Sequence, residues 1–292
     1  MKFIMILLPA LLTGCVARAV PQVAGDSSLL SGVETQVATV TRQALDGDPG
    51  ARVLYARWLA ETGSVAQARS ILTPLAEQGN AQAQYRLGCL LMADRTPESR
   101  EAAVNRMTRA ATAGLAVAQR TLGDWLLNGT AGTRQPAEAL AWYRKAAEQG
   151  DAPAQNAVGS ALSAGRGTRR DLKEATVWYR KAAEQGDALA ALNLGNAYWT
   201  GTGVRANAGV AMAWYILAAH NALPSEAALR RLAQQMETRA MMQAARQGRL
   251  NAARMLTEQY IRRYGRPGIP ALPFSGGASV PASPYPPPLT EF

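Results

Sequence analysis

The 292-residue chain holds one histidine, two cysteines and three phenylalanines. One imidazole and two thiols cannot build a cysteine-rich zinc site, a three-histidine site or a disulfide framework, so neither metal nor cofactor is expected. Charged residues reach only 18%, against about 25% in an ordinary soluble domain. The chain contains no Gly-x-Ser-x-Gly, no His-Glu-x-x-His and no Gly-Lys-Ser/Thr, which removes the common nucleophile, zinc-hydrolase and phosphate-loop signatures. His220 has no second histidine to share a ligand or base role. Acids that recur in phase, Asp151 with Asp187 and Glu148 with Glu184, suit helix capping and surface positions. A carboxylate pair of the glycosidase kind stays open as an alternative.

What fills the space is alanine, 58 residues of the 292. Apolar residues total 48%, enough for a folded core. Lys plus Arg exceed Asp plus Glu by 31 to 21, a net +10. Residues 1–15 read as an address: Lys2, an apolar run from Phe3 to Leu12, then Leu12-Thr13-Gly14-Cys15. That run is too short to span a bilayer permanently and has the form of a signal-peptide core. The tetrapeptide resembles a bacterial lipobox. The resemblance implies cleavage before Cys15, acylation of Cys15, and, with Val16 rather than Asp next, sorting to the outer membrane facing the periplasm. An ordinary secretory signal with a chance cysteine is the alternative. Cys89 then stands alone in an oxidising compartment, expected as a buried inert thiol, with reactivity or intermolecular pairing as the other reading.

The middle of the chain repeats. Trp142-Tyr143, Trp178-Tyr179 and Trp214-Tyr215 are separated by 36 residues each. The pairs Ala146-Ala147, Ala182-Ala183 and Ala218-Ala219 keep phase with them, as do Gly159 with Gly195 and Gly129, Gly165 with Gly201. Weaker copies precede them through Gly123 and Gly88, making about six units between residues 41 and 225. Each unit reads as two antiparallel helices. In residues 151–186, Asp151 caps one helix, Gly165-Arg166-Gly167 breaks it, Asp171 caps the next with Glu174 placed for a capping box, and Gly186 closes it. Gly88, Gly123, Gly159 and Gly195 fall inside helices at a cost of up to about 1 kcal/mol each. Their regular recurrence points to close contact with the partner helix. The tryptophans are expected to fill space between units, or alternatively to form a ligand platform.

The pattern Ala-x-x-Trp-Tyr-x-x-Ala-Ala-x-x-Gly-Asp-x-x-Ala-x-x-x-(Leu/Val)-Gly resembles the Sel1-like repeat, a longer relative of the tetratricopeptide repeat. It is clearest from Gly114 to Ala222 and weaker from Thr41 to Gly114. The resemblance implies an all-α fold, a right-handed α-solenoid of antiparallel helix pairs, acting as an adaptor between proteins and not as an enzyme. The paired cysteines found in some of these repeats are missing, so no activity of that subgroup is implied.

Six segments are expected: a signal peptide (1–14), a lipidated cysteine and linker (15–40), degenerate repeats (41–113), clear repeats (114–224), basic capping helices (225–266) and a proline-rich tail (267–292). The segment 225–266 carries nine Arg against three Glu and no Lys or Asp. Arg230, Arg231, Arg239, Arg246, Arg249, Arg254, Arg262 and Arg263 are its candidate polyanion-binding residues, or else a solvated cationic face. Behind a lipoprotein signal the expected polyanion is an acidic polysaccharide, anionic lipid or acidic protein, not nucleic acid. Partner-binding candidates are polar positions that vary while the core keeps phase: Arg120, Asp124, Asn156, Ser160 and Asn196. They lie one residue after, or three before, the helical glycine and so share a stripe. The function expected is a lipid-anchored scaffold for envelope proteins, in a secretion or exopolysaccharide-export assembly. The alternatives are an enzyme or enzyme regulator acting on cell-wall polymers and a polyanion-binding module.

Overall fold

Helices begin where a short polar side chain can turn back on the backbone. Asp48, Asn80, Asp151, Asp171, Asp187 and Asn207 each accept a hydrogen bond from the N–H three residues on, satisfying a donor that the first helical turn leaves open. The computed structural model describes residues 39–266 and, within them, only helices and connecting turns. After a helical stretch over 39–45 come α1 (Pro49–Glu61), α2 (Val65–Glu77), α3 (Ala81–Met92), α4 (Pro97–Thr112), α5 (Ala116–Asn128) and α6 (Pro136–Glu148). Then follow α7 (Ala152–Ala164), α8 (Leu172–Glu184), α9 (Ala188–Thr200) and α10 (Ala208–Asn221). A 3₁₀ turn at Pro224–Glu226 leads to α11 (Ala227–Arg246) and α12 (Leu250–Tyr264). The signal peptide, Cys15, the linker up to residue 38 and the proline-rich tail from residue 267 lie outside the described residues.

The chain forms two units, one ending at Ala146 and one starting at Ala147. In the first, α1 packs on α2, α2 on α3, α3 on α4 and α4 on α5. Its early core joins Val53, Ala56, Leu59, Ala68, Leu72, Leu75 and Ala76 to Ala83 and Leu87 of α3. In the second, α7 packs on α8, α8 on α9 and α9 on α10, consecutive helix hairpins in the manner of an α-solenoid. The alanines sit at these crossings: Ala56, Ala68, Ala76, Ala83, Ala103, Ala110, Ala182, Ala183 and Ala190 are completely buried. Small side chains let helix axes come close enough for dispersion contacts along both backbones.

α10 is apolar on every side, and all its residues are buried, because α9, α11 and α12 pack around it. A helix apolar all round needs such cover. Cys89 in α3 is buried, as expected, but it is bonded in a disulfide and is not an inert thiol; its partner sulfur lies outside the described residues. Among the described residues, no helix is long and apolar enough to cross a membrane.

Candidate functional site

Three of the helical glycines, Gly123, Gly159 and Gly195, are seats for tyrosine rings. A Cβ at Gly123 would stand 2.8 Å from Cε1 of Tyr143, at Gly159 2.7 Å from Cδ1 of Tyr179, and at Gly195 2.6 Å from Cε1 of Tyr215. All three tyrosines are buried. The neighbouring tryptophans, expected as the space fillers, behave differently: Trp142 and Trp178 are half-buried. The ammonium of Lys145 lies 3.9 Å from the Trp142 ring centroid, and that of Lys181 lies 4.3 Å from that of Trp178. Only Trp214 is enclosed, by Tyr260 at 4.6 Å and Tyr264 at 6.2 Å between ring centroids. The C-terminal helix α12 thus supplies the cover that a solenoid end requires.

Seating the ring carries its hydroxyl to the residue after the glycine. The Tyr143 hydroxyl donates to Asp124 Oδ1 at 2.7 Å, Tyr179 to Ser160 Oγ at 3.4 Å, and Tyr215 to Asn196 Oδ1 at 2.9 Å. Burial, reinforced by the Asp124 carboxylate, pushes the Tyr143 hydroxyl far above the ordinary phenol range. Burial does the same to Tyr215. Both therefore remain donors at any working pH. Of the expected partner-binding positions, Asp124, Ser160 and Asn196 thus hold internal tyrosines. Asn156 is 8% exposed and accepts from Asn193 Nδ2 at 3.0 Å. Arg120 is half-buried and close enough to Tyr143 to act on its ionisation.

Asp124→Ala should therefore lower stability by roughly 1–3 kcal/mol, because a buried hydroxyl loses its acceptor. Ser160→Ala, at a 3.4 Å contact, should change it less. Thermal unfolding followed by circular dichroism checks this, and equal effects at the two sites would refute it.

A second periodic tie was not legible as function or structure in the sequence. The side-chain amides of Gln84, Gln119 and Gln155, all buried, donate to the carbonyls of Ala76, Ala111 and Ala147 at 3.0–3.1 Å. Each links a helix to the last turn of the helix before it, as a second donor to a carbonyl that also accepts the N–H of Gly79, Gly114 or Gly150. The in-phase Ala-Gln pairs are its sequence signal.

One accessible groove in the second unit, of about 220 Å³, lies between α7, α8 and α9. Ser163, Thr176, Asn193, Asn196, Thr200 and Thr202 supply its polar wall, and Tyr179 and Leu172 its floor. No charged side chain lines it. Sequence reasoning reached Asn196 and missed the rest, since hydroxyls and amides at turns look like ordinary caps.

The predicted polyanion residues divide. Arg230 is half-buried and donates to the Ala222 carbonyl. Arg231, Arg239 and Arg246 are exposed on α11; Arg249, Arg254, Arg262 and Arg263 are exposed at the start of α12 or along it. Glu258 lies between Arg254 and Arg262 at four-residue steps, so α12 mixes both signs. His220 is buried, and burial holds its imidazole below the ordinary range, hence neutral. Among the described residues, no three His, Cys, Asp or Glu side chains gather as a metal site would require.

These features define a class: an all-helical repeat protein built of hairpins, with a glycine-seated tyrosine as the tie in three of them. The Sel1 repeat model matches residues 81–115, 116–151, 152–187 and 188–222. A crystal structure of a Sel1 repeat protein from Oxalobacter formigenes shares 31% identity, covering 67% of this chain and 86% of that one, with a TM-score of 0.57. The structure of a protective antigen present in uropathogenic Escherichia coli strains, which displays an SLR fold, shares 29% identity with a TM-score of 0.66. That match covers 78% of this chain and 49% of the antigen, so the chain spans about half of that relative. The chain belongs to the Sel1 repeat family. Its first matched repeat begins at residue 81, in the stretch where the sequence pattern is weak, and the α1–α2 hairpin falls outside the matched repeats. No curated protein matches the chain. Sel1 repeat proteins generally mediate protein–protein interactions.

Proposed function

We propose that this chain is a scaffold of the bacterial envelope, anchored to the outer membrane through lipid on Cys15 and facing the periplasm, that gathers the proteins of a secretion or exopolysaccharide-export assembly. The observation that carries the interaction role is the uncharged groove beside α9. Its amides and hydroxyls offer donors and acceptors together, the chemistry that suits a peptide backbone. The lipobox-like Leu12-Thr13-Gly14-Cys15 supports the anchor. The description of the Escherichia coli relative as a protective antigen accords with an address outside the cytosol.

Cross-linking in intact cells, followed by mass spectrometry, tests this reading. The expected result is a small set of envelope proteins joined to the second unit and lost in the Ser163→Leu/Thr200→Leu variant, whose thermal midpoint stays near that of the parent. Protein extracted from membranes should carry acyl groups on Cys15. Recovery of unlipidated protein from the cytosol would overturn the location, and unchanged cross-links in the variant would overturn the groove.

A further inference from the structure

α11 has 20 residues, a length of about 30 Å. Its buried line is Ala233, Ala240 and Ala244, spaced by seven and four, which packs against α10. The opposite line is of another kind. Leu232, Arg239 and Arg246 follow one another at seven-residue steps; Arg231 and Met242 are eleven apart, and Met242 and Arg246 four. Those spacings put all five on one outward stripe. Leu232 is 47% exposed and Met242 56% exposed, two of the larger apolar exposures among the described residues. The three arginines are exposed, and none of the salt bridges found among the described residues, Arg57–Glu61, Arg69–Asp94 and Arg106–Glu77, involves them. The one acid inside the helix, Glu237, is half-buried, four residues after Ala233 and three before Ala240, and so flanks the packed side.

An outward stripe that is only cationic would suit any polyanion in water. Leucine and methionine set between the arginines distinguish one occupant. A soluble acidic polysaccharide or an acidic peptide offers carboxylates but little apolar depth. A lipid surface offers both, with anionic headgroups for the guanidinium groups and acyl chains for the apolar side chains. Arginine suits that boundary because its methylene stem lies in the apolar layer while its guanidinium reaches the headgroup phosphates. From this stripe we infer that α11 is a membrane-surface helix that lies on anionic phospholipid through Arg231, Arg239 and Arg246, with Leu232 and Met242 entering the headgroup boundary. α12 plays a lesser part, because Glu258 breaks its line of positive charge. The inference does not depend on the anchor at Cys15: it holds for a chain with no acyl group.

Vesicle co-sedimentation of the full chain carrying Cys15→Ser, which removes the acylation site, tests it. The vesicles are phosphatidylcholine alone, or phosphatidylcholine and phosphatidylglycerol at about three to one. The leader peptide, which carries Lys2, is the same in the parent and the variants, so the readout is how the gain on anionic vesicles changes between them. The bound fraction should rise more than about tenfold on the anionic vesicles and fall in high salt. Arg231→Glu/Arg239→Glu/Arg246→Glu should abolish the difference. Leu232→Ser/Met242→Ser should leave encounter at low salt and remove the part that survives salt. Circular dichroism of both variants should match the parent, since all five side chains are exposed. Equal binding to the two vesicle types, or a triple variant that binds like the parent, would overturn the inference. So would salt-sensitive capture by a soluble polyuronate with no gain on anionic vesicles, which would mark the stripe as a polysaccharide site.

Discussion

Gly195→Ala should cost about 1–3 kcal/mol of stability although alanine is the better helix former. On propensity alone the change gains up to about 1 kcal/mol. The added methyl, however, falls 2.6 Å from Cε1 and 2.7 Å from Cδ1 of Tyr215. That ring is completely buried and its hydroxyl is held by Asn196 at 2.9 Å, so it cannot swing aside. Overpacking at a pinned ring outweighs helix propensity. Gly88 provides the control within the same fold. Its Cβ would meet no ring: the nearest atoms are the Ala103 carbonyl oxygen at 3.2 Å, the Met107 backbone nitrogen at 3.4 Å and the Met107 Cε at 3.6 Å. These contacts are tight but do not overlap, so Gly88→Ala should cost less than Gly195→Ala. Chemical denaturation measures both. In the double variant Gly195→Ala/Tyr215→Leu the smaller side chain should recover part of the loss, a coupling of about 1 kcal/mol or more. A Gly195→Ala protein as stable as the parent would remove the steric explanation for the recurring glycine.

The tryptophans should divide just as sharply. Trp214→Ala empties a site enclosed by Tyr260 and Tyr264 and should cost about 3–5 kcal/mol. Because α12 packs on α10 through this cluster, its amides should lose protection from hydrogen exchange before those of α7 to α9. Trp178→Ala removes a half-buried ring that Lys181 covers and that donates to Glu174 at 3.1 Å. Its cost should be about 1 kcal/mol, of the size expected for an exposed cation–π pair and one hydrogen bond. Similar losses at the two positions would refute the assignment of Trp214 to the capping contact.

How far the sequence reached can be seen residue by residue. Asp151, Asp171 and Gly165 act as the cap, cap and break that their chemistry requires, since capping depends on neighbours within four residues. The helical glycines signalled close contact; at Gly88 that contact is the partner helix's backbone, while at Gly123, Gly159 and Gly195 it is first a tyrosine ring, and the in-phase Trp-Tyr dipeptide does not say which ring turns inward. The polar stripe was legible as a stripe. That Asp124, Ser160 and Asn196 serve the tyrosine hydroxyls depends on a partner helix some nineteen residues away, and linear spacing within one helix carries no record of it. The groove walls Asn193, Thr200 and Thr202 were missed for the same reason.

The sequence by itself determined the hairpin repeat, its 36-residue step, the caps and the concentration of arginine between residues 225 and 266, because each follows from local propensity and periodicity. The tertiary structure decided which face of each helix is spent on packing. It turned Tyr143, Tyr179 and Tyr215 inward while leaving Trp142 and Trp178 half-exposed, and it enclosed Trp214 beneath α12. It also separated the arginines, tying Arg230 to a backbone carbonyl and aligning Arg231, Arg239 and Arg246 beside Leu232 and Met242. The reason is that burial is settled between helices. A helix offers several stripes, and only its neighbours determine which one leaves water.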